Sequence, residues 1–383
     1  MHRVICFPLR RFLRPTSVAL CVAALCCLAQ ARAAHGWGTK EHILLTRLAA
    51  IRLVNDPQTP VEMKAWLREA LPGMGPDVAS LREFVLSTRV GPYPRGVDGL
   101  DFWVVVPDLI AMADAGAPPE RARKVDPFGV PERMLHFIDL EYFMPEESRR
   151  RYLPDLSNRP RPSDVPRDPA DARFARAGML PFRVAQCYRD LTARIREGRL
   201  VDKPGQFPRD EHATRWAGFL AHYVQDNTQP HHSTVDFRSA SYFGDNPRGA
   251  PNVHADVEFR LVDDEFEDYP ELRKEFWDLL VKALDGGNDP ADTDDPFDST
   301  LQVAVRSYEA LPLIGRAAVA AYGAGGGPRR AFDARAFFHF RADVAGTETS
   351  VLEMKARQMA WGARRTERLW LQAWREASRP PSP

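Results

Sequence analysis

Cysteine is nearly missing from this chain beyond its first 33 residues. Of five cysteines in 383 residues, Cys6, Cys21, Cys26 and Cys27 fall in that leader and only Cys187 follows it. A single thiol excludes an intramolecular disulfide framework, so another staple, such as bound metal, is expected. Basic excess is also lacking: Lys+Arg and Asp+Glu both number 52. Five of those arginines lie in the leader, which leaves 47 basic against 52 acidic residues, a net charge of −5. That balance excludes a protein that grips nucleic acid by phosphate neutralisation alone. It leaves open a phosphate held by metal ions, the largest local charges in such a site. The glycine run Gly323 to Gly327 lacks a following Lys-Ser/Thr, so it reads as a flexible turn and not a phosphate loop. Internal repeats are absent, and strand signals are scarce.

The leader itself is patterned. Arg3, Arg10, Arg11 and Arg14 make a basic head, Val18 to Leu28 is apolar, and Ala31-Arg32-Ala33 offers a small-x-small cleavage site. This predicts a signal peptide over residues 1–33 and an exported protein, secreted or periplasmic, over 34–383. The apolar run is too short to cross a bilayer. Arg10-Arg11-Phe12-Leu13 sits one residue off a twin-arginine spacing.

Helical periodicity fills the rest. Helices are expected over His42 to Leu53, Val61 to Leu71, Pro181 to Leu200, Arg209 to Gln225, Val253 to Val262, Glu271 to Leu284, Thr300 to Leu311 and Glu353 to Ala377. Trp361, Leu369, Trp370 and Trp374 are expected to anchor the last of them. Met134 to Tyr142 fits a helix or an extended piece. Pro154 to Pro169 reads as a surface loop, and Gly286 to Asp298 as a solvated acidic loop that does not match a helix-loop-helix calcium site. The expectation is an all-α, multi-helix bundle, either one domain or two helical subdomains that break near residue 286, with 287–383 as the second.

The chemistry concentrates between His222 and His232. His222 and Asp226 are four apart, so on a helix their side chains converge on one face. Pro230 then turns the chain, which would bring His232 back toward the same end. Two imidazoles and a carboxylate at one point suit zinc. Packed core histidines with a capping aspartate are the other reading of this stretch. A second i,i+4 pair, His254 and Glu258, follows downstream, and His136, Asp108 and His42 stand upstream.

The order Trp37-Gly-x-x-x-His42, Asp108, His136, His222-x-x-x-Asp226-x-x-x-x-x-His232, His254-x-x-x-Glu258 resembles the superfamily of zinc-dependent phospholipases C and three-zinc single-strand nucleases. The resemblance implies a helical fold with a metal cluster in a cleft, two or three zinc ions per chain, and hydrolysis of phosphoric ester bonds. It implies that Asp108, His136, His222 and Asp226 hold one zinc, and His232, His254 and Glu258 a second. Trp37 (through backbone atoms), His42 and Asp226 would hold a third, with Asp226 as a bridge and Asp108 as the catalytic carboxylate. Phe137 and Asp139 match the nuclease branch's base pocket, with core packing as the alternative. The implied partner is a phosphodiester, either a phospholipid headgroup or a short single-stranded nucleic acid. A metal-stabilised binding protein without turnover is the reading from another class.

Three departures from the pattern stand out. Residues such as His35 precede Trp37, where the family often begins its mature chain. The Asp108 to His136 gap is long, which suggests an insertion over residues 115–128 and makes Asp114 the fallback ligand. Ala111 stands where the nuclease branch has a phosphate-binding arginine, leaving Arg121, Arg123 or Arg133 as substitutes. Glu258 in place of Asp, the Asp226-x-x-Gln-Pro-x-His232 run and the missing arginine favour the phospholipase branch.

Overall fold

The computed structural model describes residues 37–87, 99–114, 121–145, 161–203, 205, 211–244, 250–263, 269–286, 289–323 and 332–380. The leader, His35, residues 115–120 of the insertion, residues 154–160 of the proline-rich loop and 324–327 of the glycine run lie outside them. The fold is all-α. Its main helices are α1 (Thr39–Asn55), α2 (Val61–Ala70), α3 (Val106–Asp114), α4 (Leu180–Arg196), α5 (Ala213–Asp226), α6 (Val253–Phe259), α7 (Pro270–Gly286), α8 (Pro296–Tyr308), α9 (Leu311–Tyr322) and α10 (Val351–Ala377). Two short antiparallel hairpins, β1 (Lys124–Val125) with β2 (Val130–Pro131) and β3 (Arg341–Val344) with β4 (Thr347–Ser350), are the strands among the described residues.

α5 is the axis of the molecule. Twelve of its residues are buried, so it is surrounded on nearly every side. α4, α1 and α10 pack around it, with the short helix Leu100–Trp103 crossing its outer face. That crossing depends on Gly218. A Cβ there would lie 2.5 Å from the Trp103 Cβ and 2.9 Å from the Val104 nitrogen. Glycine lets the two backbones meet, which delivers the Val104 carbonyl to His222, one turn further along α5. Gly218→Ala should therefore push the crossing helix outward and lower stability by about 1–3 kcal/mol, the usual cost of overpacking. Thermal melts beside wild type check this, and an unchanged melting temperature would contradict the close-approach account.

α10 reaches across the whole bundle, packing on α7, α5, α1 and α4. Ser350 starts it with a capping box: its hydroxyl accepts from the Glu353 N–H at 3.1 Å, and Glu353 accepts from the Ser350 N–H at 2.8 Å. Leu369, Trp370 and Trp374 are buried and anchor it as expected, with Trp66 of α2 stacked on Trp374 at 5.5 Å. Trp361 is half-buried.

Several boundaries differ from the sequence reading. Thr300 to Leu311 spans the end of α8 and the start of α9, because the Glu309-Ala310 turn breaks one apolar pattern into two helices. Arg209 to Gln225 begins later, at Ala213, where the His212 ring caps α5 by accepting from the Arg215 N–H. Met134 to Tyr142 is neither one helix nor one strand: two 3-10 turns, Glu132–Leu135 and Leu140–Phe143, flank a short irregular stretch. The acidic loop keeps Asp292 and Asp294 exposed, as expected, and several of its carboxylates also take arginines or cap a helix. Asp289 takes Arg365 and Arg368, Asp294 takes Arg368, and Asp295 caps α8.

Candidate metal centre

His222 and Asp226 sit on the last turn of α5 and converge as their spacing requires, with Nε2 and Oδ2 3.2 Å apart. Two chain segments bring further donors. The start of α3 presents Asp108, and the residue following the Glu132–Leu135 turn is His136. Asp108 Oδ1 and Asp226 Oδ2 then each face the two imidazole nitrogens, His136 Nδ1 and His222 Nε2. His136 Nδ1 lies 2.9 Å from Asp226 Oδ2 and 3.1 Å from His222 Nε2. Asp108 Oδ1 lies 3.6 Å from each imidazole nitrogen. Four ligands about 2.05 Å from a tetrahedral ion stand about 3.3 Å apart, and these separations bracket that edge.

His42 of α1 approaches from the opposite side of Asp226. Its Nε2 is 3.2 Å from Asp226 Oδ1 and 4.0 Å from Asp108 Oδ2, and its ring stacks on His222 at 4.2 Å. Asp226 thus offers one oxygen to each side. Two donor groups that could hold a metal ion emerge among the described residues: Asp108, His136 and His222, and His42, His222 and Asp226. All five residues are buried. Asp114, the fallback, belongs to neither group, so the geometry favours Asp108 as the ligand on α3.

Hydrogen bonds from the far ring nitrogens aim three of the imidazoles. His222 Nδ1–H donates to the Val104 carbonyl at 2.7 Å, His42 Nδ1–H to Gln225 Oε1 at 2.7 Å, and His232 Nδ1–H to the His136 carbonyl at 2.6 Å. Each acceptor lacks a proton, so each ring carries hydrogen on Nδ1 and has Nε2 as the atom able to ligate a metal. His42 Nε2, Asp226 Oδ1 and Glu258 Oε1 are buried without a hydrogen-bond partner. Native proteins rarely tolerate this unless an ion or water completes the set.

The downstream trio is only half assembled. His254 Nε2 and Glu258 Oε2 meet at 3.3 Å on α6, and the His232 ring stands edge-on to His254 at 5.1 Å. These three belong to neither donor group. Trp37 is buried, its indole N–H donating to Thr228 Oγ1 at 3.0 Å. Phe137 and Asp139 are half-buried on the stretch after His136 and outside both groups. Of the substitutes for the missing arginine, Arg121 and Arg123 are exposed and Arg133 is half-buried, while Ala111 is buried.

Sequence reasoning missed the residues that support the ligands. Gln225 and Glu41 precede Asp226 and His42 directly, and that adjacency was the available signal. Glu132, whose carboxylate accepts the Tyr223 hydroxyl, sits one turn before His136. Tyr223 in turn lies edge-on to both His136, at 5.3 Å, and His222, at 5.2 Å. Lys355 had no local signal at all.

Burial pushes the Asp226 carboxyl up, but His222, His136 and His42 around it prevail and hold it well below the usual carboxylate range. Burial lowers His42, yet Asp226 and Asp108 outweigh it and raise the imidazole to about 9 in the metal-free state. Glu258 is pushed well up by burial and by Asp108, Glu41 and Asp226. A folded pKa above the unfolded value stabilises fully below about 6.5 and is lost as pH rises through about 9. Chelated protein should therefore melt lower at pH 9 than at pH 6.5 through His42. Metal-loaded protein should not share that loss, because the ion replaces the proton. Melting curves at both pH values, with and without chelator, check the sign.

Searched against protein-family models, the chain matches none, and no curated protein matches its sequence.

Proposed function

We propose that this protein is a zinc-dependent hydrolase of phosphodiester bonds, acting on a phospholipid-type substrate. One observation carries the reading: His136 Nδ1 and His222 Nε2, 3.1 Å apart, are flanked by Asp108 Oδ1 at 3.6 Å and by Asp226 Oδ2 at 2.9 and 3.2 Å, separations that suit the ligands of a zinc ion. Imidazole and carboxylate without thiolate suit zinc kept as a strong Lewis acid. The buried His42 Nε2 and Asp226 Oδ1, 3.2 Å apart, support a second site that His42, His222 and Asp226 would hold.

When bound, such ions lower the pKa of water and neutralise phosphate oxygens. The protein's own part is to aim and to exchange protons. The Val104 carbonyl and Gln225 lock the His222 and His42 rings. Asp108 presents one oxygen to His136 and His222 and the other toward His42, and so stands where it can orient a water and accept its proton. Phosphate charge then falls to the metals, since Ala111 supplies none.

A single-strand nuclease is the second reading, favoured by half-buried Phe137 and Asp139 directly after His136. Stacking on Phe137 would add about 1–3 kcal/mol per base. Against it stands the net charge of −5 over residues 34–383, unsuited to gathering a polyanion.

The test begins with an aryl phosphodiester, with and without chelator. Turnover that chelator abolishes and zinc restores is the expected outcome, and metal-loaded protein without turnover would mark a binding protein instead. Phosphatidylcholine and single-stranded DNA are then compared, with Phe137→Ala in both. Lipid hydrolysis that survives the substitution supports the first reading. DNA cleavage that collapses in Phe137→Ala, with no lipid hydrolysis, reverses it.

A further inference from the structure

Lys355 is a fully buried lysine on α10, distant in sequence from every ligand, and its ammonium joins three segments of the metal centre. Its Nζ lies 2.6 Å from Glu41 Oε1, beside His42 on α1. It donates to the Val257 carbonyl at 2.6 Å and to the Glu258 carbonyl at 3.2 Å, both on α6. It also stands 5.3 Å from the centre of the Trp37 ring. Glu41 closes the arrangement by accepting from the Gly38 N–H at 3.1 Å.

Burying an ammonium and a carboxylate costs several kcal/mol each unless geometry and hydrogen bonds compensate. Here the added hydrogen bonds go to the backbone that carries Glu258. The last carbonyls of a short helix have no intrahelical donors, so a buried cation there satisfies them and fixes where the helix ends. α6 has only seven residues; Asp263 ties the turn after it to α1 by accepting from the Lys40 N–H at 3.1 Å, and Lys355 adds the tie at Glu258 itself.

We propose that Lys355 is a positioning residue that docks the His254–Glu258 pair against the His42 side of the centre, completing a further metal position in which Glu258 is a ligand. This deepens the proposed function and rests on its reading of the centre as a zinc site. The arrangement of His232, His254 and Glu258 fits it: the His254–Glu258 pair is closed at 3.3 Å on a helix that Lys355 holds, with the His232 ring 5.1 Å from His254.

The experiment separates a positioning role from a merely structural pair. Lys355→Met leaves Glu41 buried without its cation and should lower the melting temperature. Glu41→Gln/Lys355→Met removes both charges, and if the pair were only structural it would restore both stability and full metal content. A positioning role predicts that the double variant regains stability yet carries about one zinc fewer per chain than wild type, by elemental analysis after dialysis. Glu41→Gln alone, which leaves the ammonium on the α6 carbonyls, should keep the full complement.

A second measurement needs no variant. In chelated wild-type protein the amides of residues 253–259 should stay protected from hydrogen exchange, because Lys355 holds α6 before metal arrives. Full metal content in the double variant, or unprotected α6 amides in the chelated protein, would overturn the inference while leaving the zinc reading intact. Wild-type protein that binds less than one zinc would overturn both.

Discussion

Asp226→Asn should strip metal from the His42–His222–Asp226 group, weaken the neighbouring Asp108–His136–His222 group, and reduce phosphodiesterase activity more than any other single ligand change. Asp226 is the one carboxylate with an oxygen on each side, Oδ2 beside His136 and His222 and Oδ1 beside His42. The amide keeps the shape but removes the charge and one acceptor. Residues that merely orient a ligand already cost about 10–100-fold in affinity or activity when changed, and a bridging ligand should exceed that. The check is metal content and turnover for Asp226→Asn beside Glu258→Gln. Equal losses in the two, with metal content unchanged, would contradict the bridge.

Arg183→Leu should cost about 3–5 kcal/mol of stability, the usual result of leaving one member of a buried ion pair alone. Arg183 and Glu132 are both buried, with 3.6 Å between them, and the guanidinium also donates to Gln186 at 2.7 Å and covers the Tyr223 ring at 5.1 Å. Glu132 and Tyr223 form the floor behind His136 and His222, so the damage should reach the centre. Denaturant unfolding gives the stability, and zinc titration of the folded variant should show weakened binding. A small stability change with normal zinc binding would mean that Glu132 is satisfied without Arg183.

The two predictions differ in how much of their basis the sequence carried. Asp226 was legible because its partner His222 is one helical turn away, and helical periodicity is a local property. His254 and Glu258 were legible for the same reason. The Glu132–Arg183 pair was not, because nothing near either residue announces a contact made by folding. The same division explains the missed elements. α3 was not among the expected helices, and its nine residues pack against the Glu132–Leu135 turn and α5. The β3–β4 hairpin lacks the alternating apolar pattern that marks strands, and it turns on Ala345 and Gly346, both at positive φ.

By itself the sequence determined that the protein is helical, that residues 34–383 carry a single cysteine, and which histidines and carboxylates pair one turn apart. Those are consequences of composition and of a 3.6-residue period, both of which act over a few residues. Only the tertiary structure decided that Asp108 and not Asp114 joins the cluster, that His42 and His136 meet on opposite sides of Asp226, and that Lys355 reaches Glu258 across 97 positions. Such contacts depend on how helices cross. Here the crossing is set by a glycine where two backbones must touch and by buried charges whose partners have to come from elsewhere in the chain.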